Sequence, residues 1–421
     1  MTLAVTPGDR NVLRELANRI AEIAALPDHA ETAGRWAALN DLNSTRPTVR
    51  VYQLPWRELD VDGELELKCE SGWARSAEED FRRQLYQWKH MRWDMVIEPV
   101  FRVQRVVRST GLGISAQKDE IPHDEAGGVT AKHYHCQIAD EADIEKIRFP
   151  ELSLDAAATD ACFSLASEVF EGLLEVRVEG RVAHNYSPWD RLTEWCNPQQ
   201  LLMDYAIRPE FIHAAMDRLT SAYMHEMDQL EKLEALSIGS GNFGVGQGGL
   251  GYTNDLPARD AAPEPVRFAH QWGGSQAQIF SEVSPEMHEE FALAYERRFM
   301  DRFGMTYYGC CEPLDRKVDV VARNFSNLRK ISMSCWVDPQ RGANAIAGRF
   351  VYSAKPNPAF LATDGDWDRK SARAELERIL AANEGRNVEL ILKDVSTVRF
   401  QPRRVWEWTR MAMDMVAEYE T

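Results

Sequence analysis

A chain of 421 residues has room for two or three ordinary domains, or for one large α/β barrel with additions. Its hydrophobic content of 44% and charged content of 27% exclude disordered, collagen-like and coiled-coil descriptions of the whole. Lysine plus arginine number 49 against 66 aspartates plus glutamates, a formal charge of −17, and no basic run gathers a positive face, which argues against a nucleic-acid partner.

No stretch of about 20 consecutive apolar residues offers a membrane span, and residues 1–20 lack the basic-then-apolar layout of a signal peptide. Seven cysteines are too sparse for a disulfide scaffold. A cytoplasmic protein is expected.

In chain order, Val12, Leu13, Leu16, Ile20 and Ile23 recur at helical spacing until Pro27 ends the pattern, so residues 9–26 are predicted to form an amphipathic helix. Residues 49–54 alternate as a strand and 78–93 read as a charged helix. Together, residues 1–90 make an N-terminal extension packed on the remainder of the chain. From Asp94 onward short apolar runs alternate with helix-length segments, the signature of βα units. Strands are expected at 95–98, 178–185, 235–240, 277–281, 305–309, 330–335, 349–354 and 388–393. Helices are expected at 159–172, 208–233, 285–303 and 369–383, the third opened by Ser284 as N-cap with Pro285 behind it. Eight such units predict an α/β fold, a (β/α)8 TIM barrel over 91–421. Residues 110–160 fit no βα unit and read as a lid-like insertion.

Barrel chemistry lies at the carboxyl ends of the strands, and the segments there are rich in functional groups. Neighbours in an extended segment point to opposite sides, so one thiol of Cys310-Cys311-Glu312 is expected to face the axis. It would be a zinc ligand or a nucleophile, or both cysteines are small apolar fillers. Cys335 ends the next strand. His133 and His135 have the i, i+2 spacing of a metal pair if the insertion folds over the mouth, and His270 is a further donor. Lys355, Lys393 and Asp394 suit an anionic ligand or acid–base work, or pair as a structural network. Tyr308 joins Glu312 as a catalytic candidate. Trp189, Asn242, Trp272 and Asn357 are candidate walls for a small-molecule substrate. Residues 244–249 satisfy G-x-G-x-x-G, but no helix opens behind them, so a close-approach loop is expected rather than a dinucleotide site.

The stretches Asp94-Met95-Val96-Ile97-Glu98-Pro99, Val283-Ser284-Pro285-Glu286, Tyr308-Gly309-Cys310-Cys311-Glu312 and Lys355-Pro356-Asn357-Pro358 resemble the uroporphyrinogen decarboxylase superfamily across roughly residues 90–415. The resemblance implies a (β/α)8 barrel with its mouth at the strand ends. The tetrapyrrole decarboxylases of that superfamily carry an arginine-rich N-terminal signature that is missing here, where Val49-Arg50-Val51-Tyr52-Gln53-Leu54 stands. The corrinoid-linked methyltransferases hold zinc with a His-x-Cys pair after the fifth strand and a Cys after the eighth. Cys310 matches the first Cys, Tyr308 stands where the His is expected, and Lys393-Asp394 where the last Cys is expected. The resemblance therefore implies a methyltransferase or demethylase that moves a methyl group from a small substrate to a corrinoid carrier or a thiol. Zinc would be held in a rebuilt site drawn from Cys310, Cys311, Cys335, His133, His135 and His270. The corrinoid would ride on a separate partner, since no D-x-H-x-x-G signature occurs in this chain, and family habit adds a homodimer. A cofactor-free carboxy-lyase acting on a small carboxylate, its lysines stabilising enolate-like charge, and a noncatalytic ligand-binding barrel remain alternatives.

Overall fold

The computed structural model describes residues 4–43, 45–121 and 131–419. Its strands are β1 (Thr48–Val51), β2 (Val100–Gln104), β3 (Lys118–Ile121), β4 (Ala131–Tyr134), β5 (Glu175–Glu179), β6 (Ala183–Asn185), β7 (Trp272–Ser275), β8 (Met305–Tyr308), β9 (Leu328–Met333), β10 (Val351–Ala354) and β11 (Val388–Leu392), beside a short antiparallel pair, Val107–Ser109 with Leu152–Leu154. Seven of them form one curled parallel sheet in the order β1-β11-β10-β9-β8-β7-β6. Such runs must be covered on both faces, and all five residues of β11, Val-Glu-Leu-Ile-Leu, are buried.

A closed eight-stranded barrel is not what the hydrogen bonds describe. The expected strand at 95–98 runs beside β1 with a bond from Asp94 N–H to the Val49 carbonyl at 3.2 Å. Pro99 has no N–H to continue a ladder, and pairing resumes at Val100, with β5 rather than β1. Residues 235–240 make a single bridge, Leu236 to Arg181. The run 178–185 divides between β5 and β6 at Gly180, where a Cβ would lie 2.3 Å from the Ala235 carbonyl oxygen.

The fourth strand is Trp272–Ser275, not 277–281, where Gln278–Phe280 form a 3-10 turn. Two glycines lower its strand propensity, yet a Cβ on Gly273 would come within 2.2 Å of the Phe303 ring. Close packing against Phe303 requires Gly273, and Gly274 faces Asn185 and the Gly246 backbone on the other side.

The helices that position the site are α1 (Pro7–Ala24), α2 (Asp28–Asn40), α3 (Gly72–His90), α4 (Ala156–Phe170), α5 (Pro188–Trp195), α6 (Pro209–Lys232), α7 (Arg369–Ala382) and α8 (Arg403–Ala417). The expected N-terminal helix is α1, begun by a reciprocal Thr6–Asp9 capping box, and it packs on α3 and α4. Helix α2 sends Trp36 inward, where its indole N–H donates to the Asp94 carbonyl at 2.7 Å. In the insertion β3 and β4 form an antiparallel hairpin that packs against α5. Among the described residues no helix is long and apolar enough to cross a membrane.

Candidate active site

Strand β8 delivers the site, and the alternation of its side chains decides which tyrosine belongs to it. Tyr307 faces the interior, where its hydroxyl lies 2.9 Å from Lys355 Nζ. Tyr308 faces the helical layer, with its hydroxyl 2.7 Å from His288 Nε2 and its ring against Phe325. The expected catalytic role of Tyr308 does not match that placement. After β8 the chain turns at Gly309, with φ of +96° and a virtual Cβ 2.4 Å from the Leu314 side chain, a conformation that glycine alone adopts cheaply. The turn presents Cys310 and Cys311 at the carboxyl end of the sheet.

Glu312 follows but is fully buried. One carboxylate oxygen accepts the Cys310 N–H at 2.9 Å and the other the Ala277 N–H at 3.2 Å. Burial pushes its pKa up. Glu312 clamps the two loops after β7 and β8 and is absent from the lining of the cavity beside the thiols.

That cavity has a volume of about 200 Å³, and Cys310, Cys311, Ser334, Cys335, Trp336, Lys355, Asn357, Lys393 and Asp394 are among its lining residues. Lys393 Nζ stands 3.1 Å from Cys310 Sγ, 3.2 Å from Gln247 Oε1 and 3.0 Å from Asp394 Oδ2. Cys310 Sγ is 3.4 Å from Cys311 Sγ, which is 3.7 Å from Asp394 Oδ2. The hydrogen bond from Cys310 holds the Cys311 thiol below its ordinary pKa, and the same bond together with burial pushes Cys310 up. Burial works against the charge of Lys393, but Cys310, Tyr52, Cys311 and Asp394 outweigh it and raise its pKa. The pair therefore gives up its first proton at Cys311, while Cys310 keeps its own.

Lys355 is the opposite case. Burial lowers its pKa to about 7, and its amine bonds only neutral oxygens, Tyr307 Oη, Ser353 Oγ at 2.6 Å and the Ser353 carbonyl at 3.0 Å. Beneath it, the buried pair Lys330–Glu389, 2.8 Å apart, is flanked by Trp36 and Trp272.

The glycine-rich loop reaches into this interior. A Cβ at Gly246 would lie 2.6 Å from Tyr307, at Gly248 2.4 Å from Glu389, and at Gly249 2.0 Å from Trp36. The expected close approach is thus present, and it sets Gln247 Oε1 where Lys393 and the Tyr52 hydroxyl, 3.0 Å away, both donate to it. Burial raises the Tyr52 pKa to about 12, so it stays a neutral donor. Gln247, Tyr52, Tyr307, Ser334 and Trp336 are site residues that sequence reasoning passed over. The strand-end position was the local signal for Tyr307, Ser334 and Trp336, and the glutamine between Gly246 and Gly248 the signal for Gln247.

The expected zinc ligands do not converge. His270 precedes β7 and so sits at the amino end of the sheet, its Nδ1 accepting the Arg267 N–H at 3.0 Å. His133 and His135 lie on the hairpin beside α5, with His135 Nε2 3.0 Å from Asp119. Cys335 lines the cavity, and burial raises its pKa to about 11. Among the described residues no group of three or more His, Cys, Asp or Glu side chains could hold a metal. The Lys393 ammonium already stands against Cys310 Sγ and Asp394 Oδ2, so this donor set does not fit zinc.

Of the expected substrate contacts, Asn357 lines the cavity, while its Oδ1 accepts the Ala359 N–H at 3.0 Å and its backbone N–H donates to Glu375 at 2.9 Å. Trp189 is buried against Phe280, donating to the Phe291 carbonyl at 2.8 Å. Trp272 belongs to the small core cluster with Val245, Leu256, Met305 and Tyr307. Asn242 donates to the Val96 carbonyl at 2.8 Å. These three serve packing. A second cavity of about 300 Å³ shares Ser334, Cys335, Trp336 and Lys355 with the first and extends to Arg341 and Glu375. Ser334 Oγ is buried without a hydrogen-bond partner, and Trp336 is 74% exposed at the common rim.

No protein-family profile matches this chain, and no curated protein matches its sequence. Among solved structures it is similar to a methyltransferase from Methanosarcina mazei, with a TM-score of 0.48 and 11% identity over 92% of this chain and 98% of that one. The functional reading rests on this chain's own residues.

Proposed function

We propose that the chain is a methyltransferase that takes a small methylated substrate into the strand-end cavity and uses the Cys310–Cys311 pair as the first methyl acceptor. The observation that carries this reading is the thiol pair itself, 3.4 Å apart with Lys393 Nζ 3.1 Å from Cys310. A thiolate, not a thiol, is the nucleophile; the hydrogen bond from Cys310 and the Lys393 charge behind it favour the Cys311 thiolate, against the Asp394 carboxylate 3.7 Å away. Cys311 Sγ attacks the methyl carbon and forms the S–C bond. The bond from that carbon to oxygen or nitrogen breaks, and the leaving group departs with the electron pair. Lys355, poised near neutral pH, donates the proton the leaving group needs. A second acceptor, a thiolate or a reduced corrinoid on a partner protein, would then attack the methyl carbon, breaking the S–C bond and returning Cys311 as the thiolate. At about 200 Å³ the cavity does not admit a corrin ring, so such a carrier would work from the rim.

The test is to incubate the chain with carbon-13-methyl ethers and methylated amines and then weigh its peptides. The methyl label is expected on Cys311 and lost in C311S. Turnover of a donor by C311S at the wild-type rate would overturn the assignment. Lys355, its pKa lowered by burial to about 7 and its amine hydrogen-bonded to a tyrosine hydroxyl, favours one second reading, a carboxy-lyase. Release of carbon dioxide from small carboxylates by C311S, abolished in K355M, would support that reading instead.

A further inference from the structure

We propose that Cys310 and Cys311 form a reversible vicinal disulfide, a modification site that switches the cavity off. This deepens the methyl-transfer reading and depends on it only for the functional consequence. The two sulfurs already lie 3.4 Å apart, on the turn that Gly309 opens with φ of +96°. Both thiols line the cavity, Cys310 buried and Cys311 half-buried. Access is therefore greater at Cys311, the thiol held below its ordinary pKa, and Cys310 acts as the resolving thiol.

The oxidant is a low-mass disulfide. Cys311 thiolate attacks one of its sulfurs, forming a mixed disulfide and expelling one thiolate, which takes up a proton. Cys310 then gives up its proton and attacks Cys311 Sγ, expelling the second thiol. Two protein thiols are oxidised and one external disulfide becomes two thiols. Adjacent Cα atoms are only ~3.8 Å apart across a trans peptide, below the usual disulfide span of about 4.4–6.8 Å. The closed ring is therefore strained, and a strained disulfide is readily reduced. Closure removes the thiolate and leaves Lys393 facing a neutral S–S bond, so methyl transfer stops until a reductant reopens the pair.

Trypsin cuts after Arg302 and Arg316 and isolates 303–316, which contains both cysteines and no other. The intact chain is treated with oxidised glutathione, alkylated, digested and weighed. Wild-type 303–316 should be unalkylated and lighter by two hydrogens than the reduced peptide, and dithiothreitol should restore it. In C310S a glutathione adduct should accumulate on Cys311 instead. A wild-type peptide that carries two alkyl groups, or a lasting glutathione adduct, would overturn the proposal. The readout is a mass, so a closed disulfide in a chain whose Cys311 never takes up labelled methyl would sustain the switch and remove the methyl-transfer reading.

Discussion

Lys393 Nζ lies 3.1 Å from Cys310 Sγ and 3.0 Å from Asp394 Oδ2, so an ammonium bridges the inner thiol and the carboxylate at the mouth. A lysine at that point supplies what a bound cation would supply to a thiolate, namely a positive charge in a partly desolvated setting. Asp394 has φ of +56°, a left-handed conformation that aspartate tolerates better than most residues. It keeps its carboxylate beside Cys311.

Lys355 sets a pH dependence. Its folded-state pKa, about 7, lies below its ordinary value of 10.5, so between those values the unfolded chain binds a proton that the folded chain has released. Stability then rises with pH through that window. K355M should be more stable than wild type at pH 6 by a few kcal/mol, with the gap closing as pH rises from 7 toward 10. Urea melts of both proteins across that range check the sign.

The two tyrosines of β8 should separate. Y308F loses the bond to His288 and should cost about 1 kcal/mol of stability while leaving the thiol chemistry intact. Y307F removes a partner of the Lys355 amine and should shift the lysine-dependent limb of the activity profile. Activity–pH curves and melting of the two variants decide it.

Gly246 should not tolerate a side chain. Its φ is +52° and a Cβ would lie 2.6 Å from Tyr307, so G246A should destabilise the fold by roughly 1–3 kcal/mol. It should also move Gln247 off Lys393. Thermal denaturation and the alkylation rate of Cys311 report the two effects separately.

Trp336, 74% exposed at the rim shared by both cavities, should act in binding rather than in chemistry. W336A should raise KM by about tenfold with kcat unchanged, the pattern of a lost uniform contact. Steady-state kinetics on a donor found by methyl labelling measures it.

The apolar run of β11 and the strand-end positions of Cys310, Lys355 and Lys393 were legible in the sequence because buried parallel strands are near-continuous apolar runs and their chemistry lies just beyond them. The facing of Tyr307 and Tyr308 was not, because a shift of one residue in register exchanges the two faces of a strand. Strand β7 was misplaced because Gly273, which its packing against Phe303 requires, lowers strand propensity; His270 precedes the strand in either placement and lies at its amino end. Gln247 meets Lys393 across 146 residues, a contact no local pattern encodes.

The alkylation rate of Cys311 as a function of pH, in wild type and in K393M, is the most direct measurement of the thiolate on which methyl transfer depends. The expected result is a wild-type Cys311 whose reactivity titrates below the ordinary thiol pKa of about 8.5. Its apparent pKa should rise by about one unit in K393M, a roughly tenfold loss of rate at neutral pH. A Cys311 that titrates like a free thiol in both proteins would contradict the cation-held thiolate.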